Sequence, residues 1–127
     1  DDSHAYGHVM HAFKLPKTTE EETKARQSAI QKAFHRATEV PLQTLHVCLE
    51  CLALIAEVST HGSKSAFSDL KVAESMCQAG AKGAIENVEI NLSSIKDAEA
   101  VHHLQSKLAQ YKEELEASLK REITKPA

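Results

Sequence analysis

Residues 68–97, SDLKVAESMCQAGAKGAIENVEINLSSIKD, limit the fold more than any other stretch. They predict one long helix ending near Asn91, then a tight turn and a new helix. At about 100° per residue, Asp69, Met76, Gly80, Gly83, Asn87 and Asn91 fall within roughly 40° of one line. A stripe meant only for packing would carry Leu, Ile or Val. Each glycine costs a helix roughly 1 kcal/mol relative to alanine, so two of them need a reason. Two readings fit. Gly80 and Gly83 seat a crossing helix while the asparagines cap or bridge helix ends, or the stripe leaves room for a flat ligand. The second face, Leu70, Ala73, Cys77, Ala84 and Val88, is small and apolar and is expected to pack on a central helix.

The rest of the chain also reads as helix. Four Gly and three Pro in 127 residues leave little room for turns. With 4% aromatic residues and no Trp, the core must be aliphatic and alanine-rich. Residues 1–13 predict a first helix that stops at Lys14-Leu15-Pro16-Lys17, because proline pushes its predecessor out of the α region. Thr18 followed by Glu21 has the spacing of a capping box for a second helix, which is expected to end near Glu39. Pro41 suits the first turn of a third helix. That helix, residues 42–58, is apolar on nearly every side, so it is expected to be central. Residues 61–65 form the one obvious loop, with Ser65 or Ser68 as N-cap of the long helix. Val101, Leu104, Leu108, Tyr111 and Leu115 alternate by three and four along a last helix, with Leu119 and Ile123 continuing the seam. The expectation is an all-α bundle of about five helices in a single domain over residues 1–127.

Composition and motifs exclude more than they assign. A net charge of −3 gives no reason to expect nucleic acid as a partner. No apolar run approaches the roughly 20 residues of a membrane span. Three cysteines, an odd number, suggest a reducing compartment such as the cytoplasm. Cys48 and Cys51 lie inside a helix with no second pair, which points to packing rather than zinc or redox chemistry. His4, His8 and His11 share one face at metal-ligand spacing, but no carboxylate or cysteine completes a set nearby in sequence. A wet, polar helix face is the simpler reading. P-loop, dinucleotide, zinc-protease and nucleophile-elbow signatures are absent from the sequence.

The run Ser68-Asp69-Leu70, Gly80, Gly83-Ala84, Asn87-Val88-x-Ile90-Asn91-Leu92 and Ile95-Lys96-Asp97 resembles the cyclodeaminase/cyclohydrolase family of folate enzymes. Its best-known member is the cyclodeaminase domain of formiminotransferase-cyclodeaminase. Asp2-x-x-Ala5-Tyr6, Ala12-Phe13-Lys14-Leu15-Pro16-Lys17 and Glu39-Val40-Pro41-Leu42 are similar to the family in the same order. The resemblance implies an all-α homodimer acting on a tetrahydrofolate that carries a one-carbon unit, with no metal or nucleotide required. Deaminase members close 5-formimidoyltetrahydrofolate to 5,10-methenyltetrahydrofolate and release ammonia; others interconvert the methenyl compound and 10-formyltetrahydrofolate. By position, Asp2 resembles the family's acid and is expected to carry the proton. Asp69, Asn87 and Asn91 are expected to orient substrate, and Lys14 and Lys17 to meet the anionic glutamate tail. Family domains begin with a glycine-rich segment and further helices, so the chain is expected to correspond to the later two-thirds of such a domain. Without that wall, a non-catalytic helical subunit is the competing expectation.

Overall fold

The computed structural model describes residues 1–121, 123 and 124. Four α-helices account for most of them: α1 (Asp2–Phe13), α2 (Glu20–His61), α3 (Phe67–Leu92) and α4 (Ala98–Lys120). A 3₁₀ turn, Lys64–Ala66, leads into α3. The described residues contain no strand. The all-α bundle expected from the sequence is therefore the fold, with one helix fewer than five.

The missing boundary is at Pro41. A break was expected there, yet α2 runs unbroken through it for 42 residues, roughly 63 Å. Proline lacks the N–H that would bond the carbonyl four residues back, here that of Ala37. The Asn91 amide of α3 donates to that Ala37 carbonyl at 2.9 Å. A side chain from another helix thus supplies the donor that the proline removes, and Pro41 itself is buried.

Smaller differences concern helix ends. The capping box sits one residue later than the spacing suggested. Thr19 Oγ1 accepts from the Glu22 N–H at 3.1 Å, and Glu22 Oε2 accepts from the Thr18 and Thr19 N–H groups at 2.9 and 3.3 Å. The long helix α3 starts at Phe67 after Ala66, with no side-chain cap, rather than at a serine. Asp97 does cap α4, accepting from the Glu99 and Ala100 N–H groups. That helix ends at Lys120, three residues before Ile123.

Two apolar clusters hold the helices together. In the larger, Leu42, Leu45, Leu49 and Leu52 of α2 pack with Ala81, Ala84, Ile85 and Val88 of α3 and with Leu104, Leu108 and Leu115 of α4. In the smaller, Ala5, Val9 and Ala12 of α1 pack on Ile30, Ala33 and Ala37 of α2. Phe34 borders both. The central stretch of α2 is not buried all round, as its apolarity suggested: Val47, Leu54 and Val58 face outward. A stretch of α2 is also long and apolar enough to cross a membrane by composition, with a mean hydropathy of 1.4, so the expectation that no such run exists was too strict. In this fold, one side of that stretch is occupied by the core shared with α3 and α4.

Both α1 and α3 run antiparallel to α2. The first turn of α1 reaches Pro41 and Thr44, while its last residue, Phe13, meets Arg26. On α3, Gly80 lies by Cys48 and Asn91 by Ala37. A groove between α1 and α3 therefore runs along α2.

Candidate functional site

At one end of that groove lies a pocket of about 280 Å³, lined by Asp2 of α1, Pro41 and Thr44 of α2, and Gly80, Gly83, Ala84 and Asn87 of α3. Its walls follow from local sequence. Asp1 caps α1, its Oδ1 accepting the Ser3 N–H at 3.0 Å, which starts the helix so that Asp2 falls in the first turn. Ala5, Val9 and Ala12 fix which side of α1 meets α2. On α3, the buried Ala81, Ala84, Ile85 and Val88 turn Gly83 and Asn87 toward the groove.

The two glycines serve different purposes. A Cβ on Gly80 would stand 3.1 Å from Cys48 Sγ, so this glycine lets α2 and α3 approach. A Cβ on Gly83 would have no neighbour within 4 Å. Helix packing accounts for Gly80, and open pocket space accompanies Gly83. Both readings of the stripe thus apply, one to each residue.

The sequence-derived site residues divide. Asp2 and Asn87 meet in the pocket. Asn91 lies one turn further along α3, and its amide nitrogen is engaged by the Ala37 carbonyl. Asp69 is exposed near the start of α3, roughly 27 Å along the helix from Asn87, and lines no part of the pocket. Lys14 and Lys17 are exposed beyond the other end of α1, at least roughly 17 Å from Asp2 along the helix axis. His4, His8 and His11 all lie on the exposed side of α1. Among the described residues, no three His, Cys, Asp or Glu side chains converge as a metal site would require.

The three thiols are unpaired and half-buried. Cys48 and Cys77 pack at the edge of the larger cluster. Burial pushes both thiols up, and the proximity of Cys51 adds to it. A raised thiol stays protonated and is a poor nucleophile, which fits packing.

Sequence reasoning missed Thr44 and Pro41 as pocket walls. The one available signal was a proline inside an unbroken helical apolar period. It missed the clasps made by α2 side chains as well. Gln31 holds the α3–α4 connection, donating to the Ser94 carbonyl at 3.2 Å and accepting the Lys96 N–H at 2.8 Å. Arg26 holds the end of α1, donating through Nε and Nη2 to the Phe13 carbonyl, both at 3.2 Å. A single polar residue on a helix carries no mark of a partner on another element, whether thirteen positions away, as for Arg26, or more than sixty, as for Gln31.

Known proteins align with this chain over most of its length. The family model for formiminotransferase-cyclodeaminase matches residues 1–110. Methenyltetrahydrofolate cyclohydrolase of Methylorubrum extorquens is 40% identical over 97 residues, covering 76% of this chain and 47% of that protein. Formimidoyltransferase-cyclodeaminase of Mus musculus is 36% identical over 112 residues, covering 86% of this chain and 21% of that protein. The Gallus gallus protein of the same name is 41% identical over 97 residues, covering 76% of this chain and 18% of its own. The chain thus spans less than half the length of these relatives. A match running from the first residue through most of α4, joined to these identities, leads to one conclusion: the chain belongs to the formiminotransferase-cyclodeaminase family.

Proposed function

We propose that the chain acts as a formimidoyltetrahydrofolate cyclodeaminase, closing 5-formimidoyltetrahydrofolate to 5,10-methenyltetrahydrofolate with release of ammonia. The observation that carries this reading is the meeting of Asp2, Gly83 and Asn87 in one pocket between α1 and α3, in a chain whose relatives are named for folate one-carbon chemistry. The folate nitrogen N10 attacks the formimidoyl carbon, and the bond from that carbon to the terminal nitrogen breaks. The formimidoyl group reacts in its protonated form, so its nitrogen already carries two hydrogens; the proton lost by N10 is the third, that nitrogen leaves as ammonia, and the positive charge stays on the methenyl product. A carboxyl group that takes that proton and returns it serves both needs, and Asp2 is assigned that role. Asn87, with one amide donor pair and one carbonyl acceptor, orients the pterin or the one-carbon group. Gly83 leaves space for a flat ring. Asn91 acts from behind the pocket through Ala37 rather than on the substrate. Asp69, Lys14 and Lys17 keep only a supporting part, at substrate entry or through a further protomer, since none lines this pocket.

The second reading, methenyltetrahydrofolate cyclohydrolase, is favoured by the 40% identity to the Methylorubrum protein, which matches the 41% to the chicken cyclodeaminase. One assay separates the two. Supplied with 5-formimidoyltetrahydrofolate, the protein is expected to form methenyltetrahydrofolate, followed by its absorbance, with ammonia in equal amount. Asp2→Asn is expected to lower that rate by about 10²-fold or more at unchanged helical content. Turnover of methenyltetrahydrofolate alone would select the cyclohydrolase. A near-normal rate in Asp2→Asn would remove Asp2 as the proton carrier.

A further inference from the structure

Two contacts fix how α2 and α3 lie along each other. The Asn91 amide of α3 meets the Ala37 carbonyl of α2, and Gly80 lies against Cys48 Sγ. From the first contact to the second, α2 advances eleven residues and α3 retreats by eleven. The helices therefore keep one antiparallel register. Three residues further, still on the facing sides, that register sets Cys51 opposite Cys77. The closeness of the pair shows in its chemistry. Burial pushes the Cys77 thiol up, and the charge of an ionised Cys51, then that of Cys48, then a hydrogen bond with Cys51 add to it.

The three thiols are placed differently. Cys48 and Cys77 pack against the core shared by α2, α3 and α4, and Cys48 Sγ is seated on Gly80. Cys51 is partly exposed and lies outside that cluster, so it is the thiol that a small molecule meets first. A disulfide between two helices needs Cα atoms closer than about 7 Å. Gly80, with no Cβ to hold Cys48 off, lets the two backbones come close within one turn of Cys77.

From this geometry we infer that Cys51 and Cys77 form a thiol–disulfide exchange site, which a low-molecular-weight disulfide such as glutathione disulfide converts to a bridge between α2 and α3. The Cys51 thiolate attacks one sulfur of the small disulfide. That S–S bond breaks, one glutathione leaves as thiolate, and Cys51 carries the other. Cys77 then attacks the Cys51 sulfur, and the second glutathione leaves. Two protein thiols are oxidised and one disulfide is reduced to two thiols, with the cysteine protons passing to the departing glutathiones through water. Excess glutathione reverses both steps. A raised thiol is a slow nucleophile, which keeps closure slow near neutral pH. Two features offset this. The Cys51 sulfur is held beside Cys77, and loading Cys51 removes both of its contributions to raising Cys77. The bridge ties α2 to α3 within a turn of Gly80, a wall of the Asp2 pocket, and constrains the intervening chain in the unfolded state.

The test adds glutathione disulfide to the folded protein, counts free thiols and locates the bridge by peptide mass mapping. The count is expected to fall from three to one, with Cys51 joined to Cys77 and the intact mass lower by two hydrogens. The closing step is expected to speed up about tenfold per pH unit from neutral to mildly alkaline conditions, as more Cys77 ionises. The bridged protein is expected to melt several degrees higher at any protein concentration, and to return to the parent value with dithiothreitol. Cys48→Ala is expected to form the same bridge. Cys77→Ala is expected to stop at one glutathione on Cys51, and circular dichroism checks that each variant is folded. A bridge that uses Cys48, a disulfide-linked dimer, glutathione retained on Cys51 of the parent protein, or three thiols left intact would each overturn the pair. So would a bridged form whose melting temperature is unchanged or lower, because the bond would then not join native neighbours.

Discussion

The pocket that holds Asp2 has two walls, and α2 carries them differently. On the α3 side, the leucines of α2 interlock with Ala84, Ile85 and Val88 in a core that also includes α4, and Asn91 adds a hydrogen bond from α3 to the α2 backbone. On the α1 side, contact rests on Ala5, Val9 and Ala12 against Ile30, Ala33 and Ala37, with the Arg26 clasp at the far end. Burying a leucine stabilises by about 1.5–3 kcal/mol, whereas a methyl group contributes about 0.8 kcal/mol. The wall with Gly83 and Asn87 is therefore rigid, and the wall with Asp2 is lightly held. Such a division suits a site in which one helix defines shape and the other brings the reactive group and adjusts to substrate.

The largest expected effect breaks the rigid wall at its hydrogen bond. Asn91→Leu leaves the Ala37 carbonyl without a donor, a loss of about 1–3 kcal/mol. Pro41→Ala restores an N–H four residues on, so Asn91→Leu in that background is expected to cost less than about 0.5 kcal/mol. Thermal or urea unfolding of the four proteins in the cycle measures this directly. Equal costs in both backgrounds would show that Asn91 does not compensate for the proline.

The lighter wall is probed by Val9→Ala. The loss is expected to be roughly 1–1.5 kcal/mol, and it should fall unevenly. Amide exchange in α1 should accelerate while that of Ala84, Ile85 and Val88 stays nearly constant at their slow rates. If exchange rises equally in α1 and α3, the two walls form a single unit and the contrast between them disappears.

How much of this was legible beforehand follows from the range of each interaction. Amphipathic periods are local, so α1, α3 and α4 could be read to within a few residues. The packing of Val88 and Ala84 followed from the same period. Asp2 and Asn87 were picked out by resemblance, and only the fold brings them together, because their nearness depends on α1 and α3 both running antiparallel to α2. The continuity of α2 was illegible for the same reason. Pro41 ends helices on local grounds, and the donor that rescues its helix comes from Asn91, fifty positions later. Asp69 shared the stripe of Asn87 in angle but not in height. A helical wheel discards the axial rise, and the 18-position offset carries Asp69 beyond the reach of α1.

The smallest effect separates the two glycines. Alanine at position 83 meets nothing within 4 Å, so Gly83→Ala should gain most of the helix-propensity difference, about 0.5–1 kcal/mol. Gly80→Ala brings a Cβ to 3.1 Å from Cys48 Sγ, and the thiol must move by a few tenths of an ångström, which offsets part or all of that gain. Removing the sulfur in Cys48→Ala should return it. The opposite order, with Gly80→Ala the more stabilising, would contradict this division of roles. A methyl group at position 83 also narrows the space facing Asp2, so the stabilised variant should bind folate more weakly than the parent protein. A variant that gains stability and loses affinity together would mean that Gly83 is kept for the ligand, at a cost to the helix that carries it.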